Sequence, residues 1–190
     1  MTPARNPDPD APLVQRAGAG DQAACALLVD RWLGPVHRVA SRVLGNTADA
    51  EEVAQDAFLR LWQHAPRWKP DAKFSTWLFR VVHNLCMDRI RARRPGDDAA
   101  LDAMGDEGAG ARAVERESTA ASVREAVASL PPRQRAAMSL CHFEEMGNIE
   151  AAEVLGVSVE ALESLLARAR RTLRTRLAAL MDDSEAPRRE

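Results

Sequence analysis

Residues 148–171 read NIEAAEVLGVSVEALESLLARARR, and this stretch decides the fold. Ala152, a small residue, stands four positions before Gly156. Glycine permits the tight turn, because it enters the left-handed region without a Cβ clash. Ser158 then caps a second helix, and Leu162, Leu166, Ala169 and Leu173 fall on one stripe of it. Helix, tight turn and helix at this spacing form a helix-turn-helix pattern. With Ser164 at the centre of the outward face, a rotation of about 100° per residue brings Glu160, Ala161, Arg168 and Arg171 there as well. The plainer reading is an ordinary helical hairpin with a solvated arginine face. The acid-free run from Ser164 to Met181, with Arg168, Arg170, Arg171, Arg174 and Arg176, favours DNA.

Working outward, the pattern stays helical. Val123, Val127 and Leu130 mark a short helix stopped by Pro131-Pro132, and Pro132 suits the first turn of another that runs to about Phe143. Toward the amino end, Asp21 caps a helix reaching about Leu33, which Gly34-Pro35 interrupts. The pattern resumes at Val36 and stops at Gly45-Asn46. Thr47 then caps a helix with Ala50, Val53, Ala54, Ala57 and Leu61 on its inner face. After a proline-bearing loop at 65–73, Ser75 begins a helix with Trp77, Leu78, Val81, Val82, Leu85 and Ile90 on one side. No stretch alternates with period two.

Charge divides the chain. Residues 1–95 carry 14 basic and 10 acidic side chains, 96–120 carry 2 and 7, and 121–190 carry 10 and 11. The acidic middle, rich in Gly, Ala and Asp, reads as a flexible linker. The expected class is therefore all-α: two small helical domains joined by a flexible acidic linker, the second with the helix-turn-helix. The expected boundaries are a disordered tail at 1–11, a first domain at 12–95, the linker at 96–119, a second domain at 120–181 and a tail at 182–190. A net charge of −2 excludes a histone-like protein but not segregated nucleic-acid binding. Three scattered cysteines argue against a disulfide framework and for a reducing cytoplasm. The amino end lacks a signal-peptide core and no window is apolar enough to insert in a membrane.

Two more segments carry binding chemistry. Residues 74–94, FSTWLFRVVHNLCMDRIRARR, set Arg80, His83 or Asn84, Met87 and Arg91 opposite the apolar side and end in Arg89, Arg91, Arg93 and Arg94. Cations interleaved with Trp68, Phe74, Trp77 and Phe79 suit single-stranded nucleic acid, whose bases stack on rings. The competing reading makes the aromatics core and the arginines partners of the helix dipole. The other segment is the acidic face Asp49, Glu51, Glu52, Gln55 and Asp56, by default a solvated surface. Beside Phe58, Leu59 and Trp62 it also suits docking to a protein. Four dispersed histidines, no phosphate loop and no nucleophile elbow give no catalytic residue, no metal ligands and no cofactor.

The order DAEEVAQDAFLRLWQHAPRW, FSTWLFRVVHNLCMDRIRARR, acidic linker, LPPRQRAAMSL and EAAEVLGVSVEALESLLARARRTL resembles the bacterial RNA polymerase sigma factors of the sigma-70 family, extracytoplasmic-function subgroup. The likeness spans about residues 12–95 and 120–178. It implies a non-enzymatic initiation factor that binds core RNA polymerase, directs it to promoters and helps open the DNA. Region two would correspond to 12–95 and region four to 120–181. Asp49, Glu52, Gln55 and Asp56 match the family's surface for the β′ clamp helices. Lys73, Phe74, Trp77, Arg80, Asn84, Arg91, Arg93 and Arg94 fall in the part that captures the minus-ten element, with Asn84 where a base-contacting asparagine is found. Ser158, Glu160, Ala161, Ser164, Arg168 and Arg171 fall in the reader of the minus-thirty-five element, in a region that also docks on the β flap. A separate anti-sigma factor is the implied regulator. One departure stands out: the family's usual Thr-Val-Lys/Arg-Ser-Arg is here Ala161-Leu162-Glu163-Ser164-Leu165, with Glu163 and Leu165 expected on the flanks of the outward face. A helix-turn-helix regulator acting without core polymerase is the alternative.

Overall fold

A computed structural model describes residues 8–69, 72–93 and 119–185, and among these every regular element is a helix. The first four helices are α1 (Ala11–Gly18), α2 (Gln22–Leu44), α3 (Thr47–His64) and α4 (Phe74–Arg93), with a 3-10 turn at Ala65–Arg67. The second group is α5 (Thr119–Ala128), α6 (Pro132–Met138), a π-helical turn (Ser139–Phe143), α7 (Asn148–Leu155) and α8 (Val159–Glu185). The linker and most of both tails lie outside the described residues.

Side-chain caps set the helix starts. Asp21 accepts from the amides of Ala23 (2.9 Å) and Ala24 (3.1 Å), while Arg16 donates to the same carboxylate at 2.8 Å and holds it below the usual range. Asn46, not Thr47, caps α3, accepting from Ala48 at 2.9 Å. The expected break at Gly34-Pro35 does not occur, since α2 passes through Pro35 unbroken. Leu28 before the proline and Val36, Val39, Ala40 and Val43 after it share one buried stripe. Its burial, at roughly 1.5–3 kcal/mol per large side chain, outweighs the roughly 3 kcal/mol cost of an interior proline.

Around α2 the stripes of α3 and α4 close the first core: Val53, Leu61, Leu78 and Val82 are all fully buried. Trp32 joins it through edge contacts, 5.8 Å from both Phe74 and Phe79. Residues assigned to the amino-terminal tail take part. Asp10 pairs with Arg31 and accepts from Trp32 Nε1 at 3.2 Å, and Asp8 accepts from the Phe74 amide at 2.5 Å. At the other end α8 continues to Glu185, past the expected boundary at 181.

The second core is built from Leu130, Leu140, Val154, Leu162, Leu166 and Ala169. The two cores are contiguous. Helix α7 packs on α4, and α6 packs on α2.

Candidate nucleic-acid and polymerase interfaces

The turn between α7 and α8 forms as the sequence requires. Gly156 sits at φ +66°, in the left-handed region. The amide of Val157 donates back to Ala152 O at 3.1 Å, closing the end of α7. Ser158 Oγ then accepts from the Ala161 amide at 3.2 Å. The Glu160 carboxyl is held below its ordinary range by its own backbone amide and by the Ser158 hydroxyl. Ser158, Glu160, Ser164, Arg168 and Arg171 are exposed and Ala161 is half-buried, so these six reach one accessible surface. Ser164 Oγ donates to Glu160 O at 2.9 Å, and Arg168 Nε donates to Ser164 O at 3.3 Å. Of the two departures, Glu163 is exposed as expected, but Leu165 is not on a solvent flank. It is 7% exposed, because the buried arc of α8 is wider than the stripe through Leu162, Leu166 and Ala169.

On α3, Asp49, Glu52 and Asp56 share a face, with Gln55 exposed beside them. This acidic surface is bridged. Arg89 donates to Glu52 at 2.6 Å and to Asp56 at 3.3 Å, and Arg93 pairs with Asp49. The Glu52 and Asp56 carboxylates raise the Arg89 guanidinium above its ordinary value. Arg93, expected on the minus-ten surface, is thus turned toward α3. Of the apolar residues expected beside the acids, Leu59 is exposed but Phe58 is core at 7% exposure, and Trp62 is half-buried against it.

On α4 the two readings of the aromatics divide by residue. Phe74 is fully buried and Phe79 nearly so, hence Phe74 cannot meet a base as expected of it. It is enclosed by the rings of Trp32 and Trp68, each 5.8 Å away. Trp77 is half-buried, stacked on His64 at 4.9 Å. Trp77, Arg80, Asn84 and Arg91 form a stripe at spacings of three, four and seven, with Lys73 at its head. Arg94 lies outside the described residues. Met87, expected on the outward face, is buried.

The second group of helices reaches this stripe at Lys73 and Arg80, a contact the sequence reading missed, while Asn84 and Arg91 stay exposed. Lys73 pairs with Glu150, and Arg80 pairs with Glu153 at 2.9 Å. Asn84, Met87 and Arg91 line a cleft with Arg133, Val157 and Leu165. His83, in the same cleft, is pushed down to about 4 by burial and by the neighbouring Arg133 and Arg91 cations. The only signal in the sequence was the acid pair Glu150 and Glu153 on a short helix opposite a basic one.

Residues 28–95 match the family model for sigma-70 region 2, and residues 120–173 match that for sigma-70 region 4. The ECF RNA polymerase sigma factor SigW of Bacillus subtilis is 31% identical over 176 residues, covering 86% of this chain and 94% of that protein. The chain belongs to the extracytoplasmic-function sigma factors of the sigma-70 family. It is a transcription initiation factor that acts with core RNA polymerase at promoters, and a regulator working without core polymerase is not favoured. The RNA polymerase sigma factor CnrH of Cupriavidus metallidurans is 34% identical over 191 residues, covering 94% of this chain and 97% of that protein. The solved structure of CnrH in complex with the cytosolic domain of CnrY superposes with a TM-score of 0.65 at 29% identity, covering 90% of this chain and 97% of that one. This sigma factor has, among its described residues, no helix long and apolar enough to cross a membrane.

Proposed function

We propose that three helices divide the work of initiation. The acidic face of α3, Asp49, Glu52, Gln55 and Asp56, meets the β′ clamp helices of core polymerase. The stripe on α4, with Lys73, Trp77, Arg80, Asn84 and Arg91, takes the unwound minus-ten strand, with Arg94 adding charge beyond its end. The outward face of α8, with Ser158, Glu160, Ala161, Ser164, Arg168 and Arg171, reads the minus-thirty-five element, and the same unit docks on the β flap. The domain limits lie near 12–95 and 120–181, with Asp8 and Asp10 joined to the first unit and α8 carrying the second on to Glu185. The protein works in the cytoplasm, by binding rather than catalysis, and without a cofactor. A separate anti-sigma protein is its regulator, in keeping with the capture of CnrH by a domain of a second protein.

The observation that carries this reading is the α4 stripe, where one ring, one amide and three cations share a face. A ring supports a base by stacking, at roughly 1–3 kcal/mol per base, while cations hold phosphates. Permanganate footprinting of promoter DNA with core polymerase tests it. The wild-type chain is expected to expose reactive thymines around minus ten, and Trp77→Ala together with Asn84→Ala to abolish them while leaving core binding unchanged. Equal reactivity with that double variant refutes the assignment.

A further inference from the structure

Helix α1 and the residues just before it touch both ends of the segment that joins α3 to α4. At one end, Gly18 lays the last turn of α1 against the backbone of the 3-10 turn. A Cβ at that position would overlap the Ala65 carbonyl and stand 2.9 Å from the Pro66 nitrogen, so only a residue without one lets the two backbones meet this closely. At the other end, the Asp8 carboxylate joins two amides. Its Oδ1 accepts from Asp10 N at 3.0 Å, and its Oδ2 accepts from Phe74 N at 2.5 Å. Phe74 is the first residue of α4, and its amide is one of those that a helix leaves unsatisfied at its start. The partner for that amide thus comes from 66 positions earlier in the chain. Asp10, 4% exposed, accepts from Trp32 Nε1 at 3.2 Å, and the Trp32 ring meets Phe74 edge-on at 5.8 Å.

We propose that α1 is a brace for the minus-ten surface, with Asp8 and Gly18 as its positioning residues. The 8 residues of α1 make a rod of about 12 Å. Val14, fully buried, and Ala17 fix that rod to the core. Held at Ala65 by Gly18 and at Phe74 by Asp8, it sets the distance between the two ends of the joining segment. That segment and the first turns of α4 carry Lys73, Trp77 and Arg80. Trp68 passes the constraint on, since its ring lies 5.8 Å from Phe74 and 5.6 Å from Trp77. Neither Asp8 nor Gly18 belongs to the α4 stripe. Both act through the backbone they hold.

The proposal rests on the reading of α4 as a nucleic-acid surface, and the test separates the two. Holoenzyme is assembled from core polymerase and the full-length chain as wild type, Asp8→Ala, Asp8→Asn, Gly18→Ala or Val43→Ala. Val43, 1% exposed, lies about 16 Å along α2 from Trp32, so its truncation lowers stability away from the brace. One readout, taken below every melting temperature, is affinity for a fluorescent single-stranded oligonucleotide carrying the minus-ten element of a mapped promoter. The others are core affinity and the fluorine NMR spectrum of the chain with its four tryptophans fluorinated. Asp8→Ala and Gly18→Ala are each expected to weaken oligonucleotide binding roughly fivefold, the scale of one lost helix cap. Both are expected to move the Trp68 and Trp77 resonances and to leave core affinity unchanged. Asp8→Asn keeps one acceptor oxygen and is expected to fall between the wild type and Asp8→Ala. Val43→Ala is expected to lower Tm at least as far, with oligonucleotide affinity and both resonances unchanged. Where Trp77→Ala/Asn84→Ala loses the oligonucleotide, unchanged affinity in Asp8→Ala, or equal weakening by Val43→Ala, overturns the brace. If Gly18→Ala does not fold, the Asp8 series decides alone. If Trp77→Ala/Asn84→Ala binds as the wild type does, the reading of α4 fails instead. The brace then stands if the Trp68 and Trp77 resonances move in Asp8→Ala and falls if they do not.

Discussion

Replacing Glu52 and Asp56 by Gln and Asn separates two roles that the acidic face of α3 combines. Arg89 bridges both carboxylates, at 2.6 and 3.3 Å. The Glu52 and Asp56 side chains are 65% and 46% exposed, so each pair belongs with solvent-screened bridges of about 0.2–1 kcal/mol. Losing both is expected to cost about 0.5–1 kcal/mol of stability, a fall in Tm of a few degrees. Loss of two charges from a protein interface is a larger effect: at least about 1.4 kcal/mol, or tenfold weaker core binding. Arg89→Gln is the counterpart. It removes the same two bridges and a longer pair with Asp49 at 3.9 Å, so Tm is expected to fall by a similar or slightly larger amount, but it leaves the carboxylates free to meet polymerase and core affinity intact. The assay is titration of core RNA polymerase with each fluorescently labelled variant, alongside thermal melts. Unchanged core affinity in Glu52→Gln/Asp56→Asn would refute the docking role and leave these acids as partners of Arg89. Equal weakening by Arg89→Gln would show that the face acts only through its bridged geometry.

Three further outcomes follow. Asn84→Ala is expected to relax base preference at one minus-ten position, seen by testing open-complex formation on a panel of single-base promoter variants; an unaltered preference at every position makes Asn84 structural. Glu163→Lys adds a cation on the exposed side of α8 and is expected to tighten upstream-element binding and steepen its salt dependence by about 0.9–2 in log–log slope, whereas unchanged affinity and slope mean Glu163 faces a protein. His83, held near 4 in the fold against about 6.5 when free, favours the folded form fully above pH 6.5 and loses that advantage as pH falls toward 4. Arg91 from its own helix and Arg133 from α6 oppose its protonation. The melting temperature of the wild type is therefore expected to drop more steeply than that of His83→Gln between pH 6.5 and 4, a difference of about 1–3 kcal/mol at the acid end, and parallel curves would contradict it.

Local signals were legible in the sequence where a single residue type settles the backbone. Gly156 and Ser158 placed the turn correctly, because only glycine enters the left-handed region freely and a hydroxyl caps the next helix. Pro35 misled, because its local cost competes with a buried stripe along the whole of α2 that no local rule weighs. Phe58, Phe74 and Leu165 were misplaced for one reason: periodicity locates the centre of a buried arc but not its width, which the neighbouring helix sets. The contacts of Asp8 and Asp10, and the pairing of Glu144, Glu150 and Glu153 with the first unit, join residues far apart in sequence. No spacing rule reaches that far. The exposure of Ser158, Glu160, Ser164, Arg168 and Arg171 was legible because α8 keeps that side free of packing.

The chain gives core polymerase its promoters. The decisive assay is transcription of fragmented genomic DNA by purified core RNA polymerase, with and without this sigma factor, with every start site mapped. Start sites are expected that appear only with both components and share one upstream and one minus-ten element, with the upstream preference altered by Arg168→Ala. Transcription starts that are the same with and without the protein, while it binds duplex DNA alone in sequence-specific fashion, would instead make it a regulator independent of core polymerase.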